Sequence, residues 1–220
     1  MKNSLLHIKS IITTACFIAG FTVFAQDVAV VKYDGGGDWY SNPTALPNLV
    51  KFCNDNIETN INESIETVEA GSIDIFQYPF LHMTGHGNVF FSEDDAENLR
   101  KYLLSGGFLH IDDNYGMEPF IKKELKKVFP NKDLVEIPKT HPIFNVAYEF
   151  PNGLPKIHEH DAKAPQALGI FHENRLVLLF TFESDLGDGW EDQEVHNDPE
   201  DVRLKALKMG ANIMKYVFVN

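Results

Sequence analysis

The hydrophobic pattern changes period several times between residues 28 and 138. "VAVVKY" (28–33) is almost continuously apolar, as expected of a parallel strand buried on both faces. It runs into the glycine-rich "DGGGDWY". Beyond that, Leu46, Leu49, Val50 and Cys53 recur at helical spacing and predict a helix ending near Asn56. "IETVEA" (65–70) and "PFLHMT" (79–84) read as short strands. In "SEDDAENLRKYLLSGG", Ser92 is placed to cap a helix, acids at 93–95 favour its positive end, and Ala96, Leu99 and Leu103 share a face. Gly106 and Gly107 stop that helix, and "FLHIDD" (108–113) returns as a strand. "EPFIKKELKKVF" predicts a second amphipathic helix through Phe120, Ile121, Leu125, Val128 and Phe129, and "DLVEIP" a shorter strand.

The stretch 141–165 is irregular and punctuated by prolines. "QALGIFHENRLVLLFTFES" reads as a hairpin turning at Glu173 and Asn174. A last helix starts at Asp198 and Pro199, with Val202, Ala206, Met209, Ile213 and Val217 on one side. Strand alternating with helix through residue 138 predicts a single α/β domain: a three-layer sandwich with a mostly parallel central sheet, extended by the C-terminal hairpin.

The first residues add a compartment. Lys2, His7 and Lys9 precede an apolar run from 11 to 24 that ends in Val23-Phe24-Ala25, the pattern of a cleaved secretory leader. Export to the periplasm is therefore expected, with the mature chain starting at Gln26 and keeping about 195 residues, enough for one domain. Cleavage removes Cys16 and leaves Cys53, so the mature chain forms no internal disulfide; Cys53, in an apolar helix pattern, reads as a buried structural thiol. Acids outnumber bases 32 to 19, for a formal charge of −13, which argues against nucleic acid as a partner. No later segment is apolar enough to span a bilayer.

Polar, glycine-punctuated turns follow each predicted strand, at the carboxyl ends where open α/β sheets bind ligands. The first strand delivers Asp34, Gly36, Asp38 and Trp39; the third delivers His86; the fourth Asp112, Asp113 and Tyr115; the hairpin Glu183, Asp185 and, further on, Trp190. Plain structural readings compete: a tight turn for "DGGGDW", a core histidine for His82, and a helix cap for Asp112 and Asp113. Two imidazoles one residue apart in "KIHEHD", His158 and His160, lie on one face of an extended segment and suit a divalent metal, with Asp161 and the similarly spaced His110 as further ligands. "ESDLGDGWEDQEVHND" reads as a solvated acidic loop, with Trp190 either stacking on a ligand or plugging the core.

The motifs "KYDGGGDWYSNP", "LHMTGHGNVFFS", "YLLSGGFLHIDDNYG", "THPIF", "LPKIHEHD" and "ESDLGDGWEDQEVHND" resemble a bacterial family catalogued as domain of unknown function 4159. The resemblance runs from about Val28 to the end of the chain. That family is similar in fold to class I glutamine amidotransferase-like domains, which implies a flavodoxin-like sandwich. It does not imply glutaminase activity: the turn Thr84-Gly85-His86-Gly87 carries no thiol or serine, and Cys53 falls on a helix.

Two functions from different classes stay open. One is a hydrolase-like enzyme, metal-assisted, acting on a polar small molecule or saccharide, with His86, Asp112 and Asp113 in its chemistry. The other is a noncatalytic module that binds a ligand or an envelope protein partner.

Overall fold

The computed structural model describes residues 26–219. The leader read over 1–25, its cleavage point and Cys16 lie outside the described residues. Seven strands form one sheet: β1 (Val28–Lys32), β2 (Glu66–Glu69), β3 (Phe80–Gly85), β4 (Phe108–Asp113), β5 (Val135–Glu136), β6 (Gln166–His172) and β7 (Arg175–Phe182), in the order β2-β1-β3-β4-β7-β6-β5. The first five in that order are mutually parallel. Counted among themselves they run 2-1-3-4-5, the flavodoxin-like order. β6 and β5 continue the sheet antiparallel to their neighbours. The predicted hairpin thus does extend the sheet, and its second strand joins the parallel part by pairing with β4.

The helices are α1 (Ala45–Asn56), α2 (Glu93–Leu104), α3 (Glu118–Val128), α4 (Leu186–Trp190), α5 (Gln193–His196) and α6 (Glu200–Val219). Alternation along the strands divides the apolar side chains between two cores. On one face Phe80, Phe108 and Leu179 pack with residues of α1, α4 and α6; on the other Leu81, Met83, Leu109 and Ile111 pack with α2 and α3. The result is a three-layer α/β sandwich. α2 starts in a reciprocal capping box between Ser92 and Asp95, as its sequence predicts. Cys53 is fully buried, and burial pushes its thiol up to about 12, which suits the structural reading. Among the described residues no helix is long and apolar enough to cross a membrane.

Two local expectations change. The strand read from "DLVEIP" shrinks to two exposed residues, Val135 and Glu136, paired with β6, and Ile137 adds one backbone bond to Ala167 beyond them. The segment read as an acidic loop folds into α4 and α5 instead. Leu186 and Trp190, one helical turn apart, are both fully buried in the α1–α6 core, and the Trp190 indole donates to the Ala206 carbonyl at 2.8 Å. Of the acids around them, Asp185 and Glu191 are buried and Asp188 is half-buried.

Candidate functional site

The face of the sheet under α1 and α6 grades from apolar to polar toward the carboxyl ends. Phe80 pairs with Phe108, His82 with His110, and Thr84 with Asp112, which in turn faces Thr181. Each strand contributes the next row because side chains on one face recur every second residue. The polar rows are joined by a chain of buried contacts. The Nδ1 atoms of His82 and His110 lie 3.2 Å apart, and His110 Nε2 is 3.0 Å from Thr181 Oγ1. Thr181 Oγ1 also touches Asp112 Oδ1, while the Gly187 backbone N–H donates to Asp112 Oδ2 at 2.6 Å.

Donor counting selects one arrangement of this chain. If His110 Nε2–H donates to Thr181, its Nδ1 must accept, so His82 Nδ1–H donates and His82 Nε2 is left as a bare lone pair. His82 Nε2 indeed has no hydrogen-bond partner. The reverse direction would strand an N–H there, the costlier orphan. Burial pushes His82 down to about 3 and His110 well below the ordinary imidazole range, so both rings are neutral. Burial also pushes the Asp112 carboxyl up to about 7, against the bonds from Thr181 and Gly187, with the Asp188 and Asp113 charges adding to the rise.

Above Asp112 the chain turns sharply into α4. Glu183 (φ 57) and Asp185 (φ 60) occupy the left-handed region, as Tyr115 (φ 136) does nearby. Each such non-glycine residue costs on the order of 1–3 kcal/mol, and such strain clusters at functional sites. Gly187 follows, where a Cβ would meet Asn42 Nδ2 at 2.7 Å and Asp112 Oδ2 at 3.1 Å. Only a bare backbone lets the turn approach Asp112 this closely.

Over this turn lies the segment "KIHEHD". His158 Nδ1 is 3.0 Å from Asp188 Oδ2 and 3.8 Å from Asp185 Oδ2, and its Nε2 is 2.8 Å from Asp198 Oδ1. His160 Nε2 contacts Asp185 Oδ2, and its ring stacks on Tyr115 with centroids 4.6 Å apart. His196 Nε2 lies 3.8 Å from Asp188 Oδ1, which also accepts from Asn42 Nδ2 at 2.8 Å. His158, Asp188 and His196 each offer a ligand atom, all within 4.8 Å of one another. His158 and Asp188 are both braced from outside, by Asp198 and Asn42, as imidazoles and carboxylates that hold a metal commonly are. Asp185 Oδ1, buried without a hydrogen-bond partner, lies beside them. Burial, then the charges of Asp112 and Asp188, pushes the Asp185 carboxyl up; the Asp188 bond, against burial and aided by Asp198, raises His158. Crowded acids of this kind form a well for positive charge.

The predicted residues divide among several places. His158 lies in the cluster, and His160 joins it through Asp185. Asp161 is on its outer edge, accepting from the Tyr115 hydroxyl at 3.1 Å and pairing with Lys163 at 2.9 Å. His110 is in the core row, outside the set of His158, Asp188 and His196; its partners are His82 and Thr181. Asp112 is fully buried and pins Gly187, so it acts from beneath the rim. Asp113 caps α3, its oxygens accepting from the N–H groups of Tyr115, Met117 and Glu118 at 2.8–2.9 Å. Glu183 is buried against Lys156 at 3.0 Å. His86 and Asp38 form a separate, half-exposed pair at 2.9 Å, and Asp34 and Gly36 lie on the turn beside it. Trp39 edges a cleft between β1 and β3, whereas Trp190 is fully buried and offers no stacking face.

Asp188 reads from sequence as one of several acids that could hold calcium in a solvated loop, His196 and Asp198 as members of the same stretch, and Asn42 and Thr181 as ordinary polar residues. One signal for the buried row is in the sequence: "FLHMT" and "FLHID" repeat the same apolar–histidine pattern, and in register they bring His82 to His110.

A search among curated proteins finds no match to this chain. A family model described as "Domain of unknown function (DUF4159)" matches residues 27–218, almost the whole of the described chain, and the protein belongs to that family.

Proposed function

We propose that the protein is an exported, hydrolase-like enzyme of the cell envelope that uses a divalent cation held by His158, Asp188 and His196 on a polar small molecule or saccharide. The observation that carries this is the three-residue set within 4.8 Å, braced by Asp198 and Asn42 and flanked by the unpartnered Asp185 Oδ1. Two imidazoles and a carboxylate are a donor set suited to zinc and related transition metals. The cation would polarise the electrophilic group of the substrate. His160, oriented by Asp185, is the group placed to take a proton from water as its hydroxyl bonds to that centre. The same imidazolium can return the proton to the leaving oxygen as the old bond breaks, so the step balances without another reactant. The left-handed turn at Glu183 and Asp185 supports a site role for this corner. The strand order fits the amidotransferase-like fold that the family resemblance implies, and the leader pattern fits export to the periplasm.

Metal content of purified chain from Gln26 onward tests the reading. About one equivalent of a transition metal is expected in the wild type, and a loss of tenfold or more in His158→Ala. Equal, sub-stoichiometric content in both would favour the noncatalytic binding module, with His158 simply ion-paired between Asp188 and Asp198.

A further inference from the structure

The parallel strand order reverses between β1 and β3, and at such a switch point open α/β sheets leave a crevice for ligands. A cleft of about 290 Å³ opens there, floored in part by His82 and Thr84 and edged by Trp39 and Tyr40. Its lining contains no Asp, Glu, Lys or Arg, in a chain with 23% charged residues. His82 is neutral, as its burial requires. A charged occupant would give up hydration here without meeting a partner, so the cleft selects an uncharged one. By contrast, the larger cleft of about 690 Å³ beside α6 is lined by Lys156, Lys205 and Lys208.

The uncharged lining has two characters. Trp39 and Tyr40, ring centroids 5.6 Å apart and edge to face, supply an aromatic lip, with Tyr40 66% exposed. Ser41, Asn42 and Thr84 supply hydroxyl and amide groups, and His82, at the floor, has a buried Nε2 with no partner. An aromatic surface beside dispersed neutral hydrogen-bonding groups matches a ring with an apolar C–H face and a rim of hydroxyls. The volume falls just under the usual range of about 300–1,000 Å³ for small-molecule sites, room for one ring.

This cleft shares residues with the acid–imidazole cluster. Asn42 donates to Asp188 at 2.8 Å; Thr84 donates to Asn114 at 2.8 Å, and Asn114 reaches Ser41 at 3.5 Å. We infer that the cleft between β1 and β3 is the recognition subsite of the same site and takes a single uncharged, hydroxyl-bearing ring, a neutral sugar residue, with its linkage directed toward His158 and Asp188. The direction of the linkage rests on the hydrolase reading; binding of the ring does not.

Trp39 is to be varied and Trp190 packs beside His82 at the cleft floor, so binding is read by isothermal titration calorimetry, which needs neither indole as a reporter. Wild-type chain from Gln26 onward is titrated with glucose, galactose and N-acetylglucosamine, and with glucuronic acid and glucosamine as charged counterparts. Saturable binding of at least one neutral sugar is expected, at least tenfold weaker for its charged counterpart. Trp39→Ala should lose it while Trp39→Phe retains it, both with unchanged circular dichroism. His158→Ala, which removes the proposed cation site, should still bind the sugar, separating failure of one reading from failure of the other. The inference is overturned if no neutral sugar binds saturably, if the charged counterparts bind equally well, or if Trp39→Ala binds like the wild type.

Discussion

At the residue scale, Asp112 is the most exposed to a decisive test. Its carboxyl holds a proton more tightly in the folded chain, up to about 7, than at its ordinary value of 3.8. Its contribution to stability is thus fully present below about pH 4 and is lost as pH rises through 7. Three units correspond to an upper bound of about 4 kcal/mol. Asp112→Asn imitates the protonated acid, with an amide oxygen for the Gly187 N–H and an amide nitrogen facing Thr181. The variant should therefore melt higher than wild type at pH 8 and lose most of that advantage by pH 5, measured by thermal unfolding across pH. An equal difference at both pH values would contradict the account of Asp112. Gly187→Ala should do the reverse, costing about 1–3 kcal/mol in denaturant unfolding, because its Cβ enters the space between Asn42 and Asp112. A neutral effect there would show that the turn is not held tightly against β4.

At the scale of elements, parallel strands β3, β4 and β7 align a polar row under the rim, and Thr181 is its hinge. Thr181→Val keeps the shape but leaves His110 Nε2 and Asp112 Oδ1 short of a partner. We expect a loss of about 1–3 kcal/mol, and nitrogen chemical shifts showing His110 leaving the Nε2–H tautomer that the wild type holds. How far the sequence revealed these elements follows from their periodicity. β1 and β4 were legible as short apolar runs bounded by polar turns, and α1 and α2 because apolar positions recur at helical spacing, with Ser92 and the glycines at 106 and 107 marking ends. α4 and α5 were not legible, because two buried side chains among many acids give no visible period over nine residues; packing against α1 and α6 fixes α4, whereas α5 buries no residue. The site was half legible for a related reason. "KIHEHD" announces its imidazoles, but their neighbours Asp188 and His196 arrive from the short helices that the pattern concealed.

At the scale of the whole molecule, the fold gathers turns far apart in the chain on one lip of the sheet. The loop after β1 reaches α4 through Asn42, the segment at 158–160 reaches it through Asp185 and Asp188, and the approach to α6 closes on His158 through Asp198. The acidic composition then acquires a local meaning: several carboxylates stand closer than their repulsion favours, and imidazoles are interleaved among them. Placing a cation there accounts for the crowding, the outer braces and the unpartnered Asp185 oxygen together. Cobalt(II) titration of the chain from Gln26 onward, followed by visible absorption, tests this most directly. One equivalent should give an intense, protein-bound low-coordinate spectrum that Asp188→Asn or His196→Ala abolishes; a spectrum no different from aqueous cobalt, in wild type and variants alike, would contradict a cation site at this lip.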